Sequence, residues 1–383
     1  MLDPNVSFTS QIFRWIGRGI GFVIGILLWP FKQAGHWYRK RGLYLKMGVG
    51  IFLAAFIALY GYFFYVTQFW TGFDPDYPAA LIQVQTDAIP AGEPVTSPVT
   101  SNGGASTTIA NQSAPACKPS AITTIAADLI DFNVNRNAWI SSMFLSKLGL
   151  FGMEWKNTSF FDNKAAFQLG INNALRRTTT ELVDTLGRVR GTSQIDQNLQ
   201  SARTNLAWNE TAWYIGWRGP TRPAPSLYRE AITNLNNFNS ALEKCQATFD
   251  ARADNLLQFL DRITSDIGST SDILRQRIEV SDAALFDTRA DDRFWFAYGQ
   301  LYAYYGLLVA ARSDFSTVIA ERNLTTLWAR MEQQLRASLN VQPWIVSNGN
   351  ESSALFPSHL ATMGFNLLQV RSNLVELRSV LDR

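Results

Sequence analysis

Beyond residue 120 the apolar side chains return every three or four positions, the period of a helix with one buried face. Ile122, Ile125 and Leu129 share one side of "AITTIAADLID", and Phe167, Ile171, Leu175, Leu182 and Leu186 continue the pattern through residues 163–190. A third series runs Leu256, Leu260, Ile263, Ile267, Leu274 and Ile278 in heptad-like steps, weakened near Thr270. The last is the cleanest: Leu360, Met363, Leu367, Val370, Leu374, Leu377 and Leu381. Short connections return each helix against its neighbour. The final seam therefore predicts antiparallel bundle packing rather than an intermolecular coiled coil, and the fold class is all-α.

The earlier residues follow other patterns. Met47 to Trp70 is an uncharged run of 24 residues, which at ~1.5 Å rise per residue can cross a ~30 Å hydrocarbon core. Tyr60, Tyr62, Tyr65, Trp70 and Tyr77 crowd its far end, as amphipathic rings do at a headgroup boundary. A cleavable signal peptide does not fit, because "VTQFWTGF" offers no small-residue processing site. The uncharged run from Gly19 to Phe31 has only 13 residues and reads as an interfacial helix, which Pro30 should end or kink.

"GRGIGFVIG" (residues 17–25) fails as a dinucleotide-binding loop, since the sixth position is Phe22 in one frame and Ile24 in the other. Gly17, Gly21 and Gly25 instead fall on one helix face, as do Gly50, Ala54 and Ala58 in the spanning run. Either face could admit a second helix backbone, which makes self-association an expectation.

A second uncharged stretch, Phe294 to Ala311, reaches 18 residues. Four tyrosines and Gln300 raise the cost of inserting it in lipid, so it reads as the buried centre of the bundle. Residues 75–120 are dominated by Pro, Ser, Thr, Gly and Ala, and read as a flexible linker. The organisation expected is a basic segment (1–46), a single spanning helix (47–70), a linker (71–120) and an all-helical domain (121–383).

Charge sets the orientation. Residues 1–46 hold seven Lys and Arg against one acid, Asp3, while the overall net charge is only +3, so the remainder of the chain is net acidic. The positive-inside rule puts the N-terminus in the cytoplasm and the large domain across the membrane. The belt Lys32, Arg39, Lys40, Arg41 and Lys46 suits anionic lipid headgroups. With its basic residues collected there, the chain offers no electrostatic footprint for nucleic acid.

Candidate chemistry is sparse. The histidines are His36 and His359, and no H-E-x-x-H, paired C-x-x-C, G-x-S-x-G or Walker loop occurs, so the sequence points to no metal and no cofactor. "RADNLL" (252–257) and "RADDRF" (289–294) place acids near helix starts, where they favour the helix dipole. A hydrolase with paired carboxylates would need such acids to converge in space. Trp208, Trp213, Tyr214, Trp217 and Arg218 load "LAWNETAWYIGWRGPTRPAP" with rings that either plug a helix joint, the favoured reading, or stack on a sugar, a lipid headgroup or a partner side chain.

"FDARADNLLQFLDRITSDIGSTSDILRQRI", "LLVAARSDFSTVIAERN" and "PWIVSNGNESSALFPSHLATMGFNLLQVRSNLVELRSVL" resemble a bacterial family known as domain of unknown function 2333. The resemblance is strongest over 225–383 and extends back to residue 121. It implies a Gram-negative, inner-membrane-anchored envelope protein with a periplasmic helical bundle, and supplies no catalytic residue. In that oxidising compartment Cys117 and Cys245, the only cysteines, are candidates for a disulfide. The sequence thus favours a non-enzymatic interaction or scaffold protein with envelope protein partners. The alternatives are the carboxylate hydrolase and a ligand sensor signalling through a partner, the latter weakened by a cytoplasmic side of 46 residues.

Overall fold

The computed structural model describes residues 22, 25, 29–30, 32–82, 89–95, 116–150, 152–158, 161–189, 194–216, 219–280, 287–349 and 357–383. The chain divides into two compact units, Met1–Tyr62 and Phe63–Arg383, and is predominantly helical.

In the first unit residues 29–30 and 32–39 are helical and the chain turns at Lys40 and Arg41; Phe31, next to Pro30, lies outside the described residues. The guanidinium of Arg41 lies 4.8 Å from the Trp37 ring. Helix α1, Leu43–Gln68, then begins; with a mean hydropathy of 2.0 it is the one described helix long and apolar enough to cross a membrane. A Cβ added at Gly25 or Gly50 meets nothing within 4 Å, and Ala54 and Ala58 are exposed, so neither small-residue face is used within the described chain. Gly17 and Gly21 lie outside the described residues.

The second unit starts earlier than the apolar periodicity suggests. Phe63, Val66 and Thr67, in the last turns of α1, are buried. Lys164 Nζ donates to the carbonyls of Val66 and Phe69, each at 2.8 Å, satisfying acceptors that a helix C-terminus leaves open. Trp70 stacks on Phe167 at 4.8 Å, and Asn137 bonds both the N–H and the C=O of Thr71. Helix α2 (Tyr77–Leu81) follows, with Tyr77 donating to the carbonyl of Tyr302. Residues 71–82, which composition placed in the linker, are thus hydrogen-bonded to the bundle at Thr71 and Tyr77.

Further along the stretch assigned to the linker, Val95 N–H donates to Ala116 O at 2.8 Å and Gly92 N–H to Lys118 O at 2.8 Å, so residues 92–95 and 116–118 lie beside one another. Residues 83–88 and 96–115 lie outside the described ones. The returning strand is fastened by Cys117 N–H to Glu243 O at 2.9 Å and by a disulfide from Cys117 to Cys245, with Cα atoms 5.3 Å apart across 128 residues of sequence.

The bundle proper comprises α3 (Ala121–Asp131), α5 (Asn163–Glu181), α6 (Gln197–Leu206), α7 (Ala224–Glu243), α8 (Ala253–Val280), α9 (Ala290–Asp314), α11 (Thr325–Ser338) and α12 (His359–Leu381), with short helices α4 (Phe144–Leu148) and α10 (Ser316–Glu321) between them. Helix α9, which contains the 294–311 stretch, is buried on every side by α3, α5, α8, α11 and α12. Its polar groups are satisfied there. Tyr298 donates to Leu339 O, Tyr302 to Asp74 O, and Tyr304 to the buried carboxylate of Asp266 at 2.7 Å. Gln300 also donates to Asp266 and accepts from Thr270 Oγ1 at 2.7 Å. The weak heptad position in α8 is thus where a polar network enters the core. All seven apolar residues of the last seam are buried, packed on α8 and α11 within the same chain.

Helices α5 and α9 touch backbone to backbone. A Cβ built on Gly299 would lie 2.1 Å from Phe167 O, and one on Gly170 would lie 2.1 Å from Phe296 O. Close approach through small residues, expected in the N-terminal segments, is realised here in the bundle core. Gly299→Ala should lower unfolding stability by at least ~2 kcal/mol in urea melts, because the obstructing atom is backbone, while Gly50→Ala should leave the midpoint unchanged. A wild-type midpoint for Gly299→Ala would show that the two backbones are not in contact.

Candidate functional site

Two cavities and one exposed surface gather the chemistry. The first cavity, of about 720 Å³, is lined by Glu154, Asp162, Thr211, Asp292 and Arg293 among others. Two of its acids stand at helix starts, Asp162 at the N-cap of α5 and Asp292 in the first turn of α9, with Asp291 beside Asp292 and outside the lining. Asp162 is 8% exposed and Asp291 2%, and among the described residues neither carboxyl has a hydrogen-bond partner of good geometry. Burial, then the charges of Asp292 and Asp291, holds the Asp162 carboxyl far above the ordinary carboxylate range. Burial followed by the charge of Asp292 pushes Asp291 up to about 8. At neutral pH such acids retain protons beside an ionisable neighbour, the condition a general acid requires.

The convergence that a carboxylate reading needs is therefore present at "RADDRF", joined by Asp162, which nothing in the sequence had paired with it. At "RADNLL" the acids serve structure: Arg252 pairs with Asp250 and Asp254. Among the described residues no group of three or more His, Cys, Asp and Glu is arranged to hold a metal ion. His359 lies half-buried, its Nδ1 accepting from Ser347 N–H at 3.0 Å, and burial lowers its pKa.

The second cavity, of about 820 Å³, is mostly aromatic, with Phe64, Phe69, Trp70, Phe161, Trp295 and Trp344 in its walls. Its floor is the end of α1.

The side chains of the aromatic loop differ in their surroundings. Trp213 plugs: its ring packs on Phe144 at 5.3 Å. Trp208, whose Nε1 donates to Arg222 O, and Tyr214 stay exposed. Tyr214 leads into a small hairpin, β1 (Ile215–Gly216) with β2 (Gly219–Pro220), and is 64% exposed, with Ile215 at 66%. Trp217 and Arg218 lie outside the described residues. Phe144, Leu148 and Met153 add further exposed apolar surface on the neighbouring segment, to which the Phe144–Trp213 contact joins the hairpin. Sequence reading missed that segment, whose short helices carry no clear period.

Residues 140–285 match the model of a family described as an uncharacterized protein conserved in bacteria, domain of unknown function 2333. The matched span begins and ends earlier than the region in which the resemblance was read most strongly. It contains Asp162 and the aromatic hairpin and stops before Asp291. No curated protein and no solved structure matches the chain.

The acid cluster has a measurable signature. An acid whose folded-state pKa is raised keeps its proton in the folded chain after the unfolded chain has lost it. Its stability contribution is thus fully present below the ordinary value of 3.8 and is lost as pH rises toward about 8. Asp314 and Glu332, raised by burial to about 6 and 7, slope the same way, so the difference between variants isolates the cluster. Asp291→Asn should gain melting temperature over the wild type as pH rises from about 5 to about 8, by at least ~2 °C in thermal melts. A difference independent of pH would show that Asp291 is not held protonated.

Proposed function

We propose that the chain is an inner-membrane-anchored helical interaction module of a Gram-negative envelope, with the 63–383 domain in the periplasm and its aromatic hairpin held against an envelope protein. The observation that carries this reading is the apolar surface of Phe144, Tyr214 and Ile215, mounted on a bundle whose first element is the last turns of an apolar, span-length helix. Exposed rings backed by a packed ring, here Trp213, suit the centre of a protein interface. The Cys117–Cys245 disulfide supports an oxidising compartment, and the basic segment before α1 supports a cytoplasmic N-terminus in contact with anionic lipid. Self-association through Gly17/Gly21/Gly25 or Gly50/Ala54/Ala58 belongs to the same reading. The test is a photo-crosslinking amino acid at Tyr214 in intact cells. A discrete protein adduct that Ile215→Asp abolishes is expected; an adduct unaffected by Ile215→Asp, or none at all, removes the hairpin as an interface.

The approach of Asp162 to Asp291 and Asp292, beside a cleft lined by Asp162 and Asp292, supports a second reading, an envelope hydrolase working by acid–base catalysis. The purified full chain should then turn over peptidoglycan fragments. Asp162→Asn should abolish turnover without lowering the melting temperature; absence of turnover in the wild type discards this reading.

A further inference from the structure

We infer that the aromatic cavity at the end of α1 binds an acyl chain of a membrane phospholipid. This rests on the reading of α1 as a membrane anchor and adds a ligand site to it. Three observations carry it.

The first is position. Phe64, Thr67, Gln68 and Phe69, from the last turn of α1 and the residue beyond it, form one wall, so the cavity opens where a span-length apolar helix ends. The solvent available there is the boundary between acyl chains and headgroups, not bulk water.

The second is composition. Trp70, Phe73, Phe161, Trp295 and Trp344 complete a lining whose polar members are confined to Thr67, Gln68, Asn163 and Gln342. A volume of about 820 Å³ falls within the range of small-molecule sites, and a largely apolar wall with a few polar groups is what a hydrocarbon chain with a polar end requires. No charged side chain lines the cavity, so an ionic ligand would find no counter-charge in its walls.

The third is exposure. Trp344 is 95% exposed and Ile345 50%, on the connection between α11 and α12, and Phe64 and Phe69 are themselves more than half exposed. A tryptophan left open at the mouth of an apolar cavity is costly in water and favourable at a lipid headgroup boundary, where its ring is buried and its N–H stays hydrated. The cavity wall is meanwhile rigid: Trp70 is packed between Phe167 and Trp295, and the carbonyl of Phe69 is held by Lys164. A site held open in this way does not collapse when empty.

The test uses the full chain reconstituted into vesicles of phosphatidylethanolamine and phosphatidylglycerol. A small fraction of the phosphatidylethanolamine carries a diazirine near the end of one acyl chain. After irradiation, adducts are mapped by mass spectrometry. Adducts are expected on Phe73 or Trp295, deep in the cavity, competed by excess unlabelled lipid and reduced at least fivefold in Trp344→Asp. That substitution removes an exposed side chain, and its melting temperature serves as the folding control. Adducts confined to residues 43–64, or cavity adducts insensitive to both competitor and Trp344→Asp, would overturn the site. Alkaline carbonate extraction of the same vesicles separates the two claims: a chain that is released was never anchored, whereas a retained chain without cavity adducts refutes the lipid site alone.

Discussion

The backbone contact between α5 and α9 at Gly170 and Gly299 is the constraint on which the remaining architecture depends. Because no Cβ stands between them, the two helices approach more closely than side-chain packing permits, and each glycine lies against the other helix's peptide groups. That approach makes α9 the centre of the bundle. Helices α3, α8, α11 and α12 then close around it, and its tyrosine and glutamine side chains reach acceptors at Leu339, Asp74 and Asp266 that would otherwise be out of range. A buried polar network of this kind stabilises only when its members are satisfied, and the carboxylate of Asp266, which also accepts from Asn173 Nδ2, meets that condition.

The same contact explains the acid cleft. With α5 and α9 fixed against each other, Asp162 at one start and Asp291 and Asp292 at the other are brought together. Each acid alone is an ordinary partner for the positive end of a helix dipole. Burial, and after it the charges of their neighbours, raises the pKa values of Asp162 and Asp291. The local logic of each helix start is conventional; the unusual environment comes from bringing the two starts together.

Fastening at the edges follows a different principle. The end of α1 is held by a lysine donating to its open carbonyls, and the entry of α3 by Asp314, whose carboxylate accepts from Ser120 Oγ and the N–H groups of Ala121 and Ile122. Residues 89–95 and 116–120 are pinned together by main-chain bonds and to α7 by the disulfide. Cys245 sits just past the end of α7 with a φ of 55°, a left-handed conformation that helix ends more often assign to glycine. These fasteners hold the last turns of α1, the returning segment and the bundle together within the Phe63–Arg383 unit, which presents the hairpin and the aromatic cavity.

By itself the sequence determined the class of fold, the helix seams of α8 and α12, the burial of the 294–311 helix and the presence of one span-length apolar helix. These follow from periodicity and run length, which are local properties of neighbouring residues. Tertiary structure alone decided that Thr71 and Tyr77 bond to the bundle, that Val95 pairs with Ala116, that Gly170 and Gly299 let α5 and α9 touch, and that Asp162 comes near Asp291. Lys164 illustrates the difference. Nothing in "FDNKAAF" marks it, yet it is buried and capping a helix nearly a hundred residues earlier in the chain. Such pairings are contacts at long sequence separation between residues whose local environments carry no sign of each other, and only the closure of the bundle around α9 brings them within hydrogen-bonding distance.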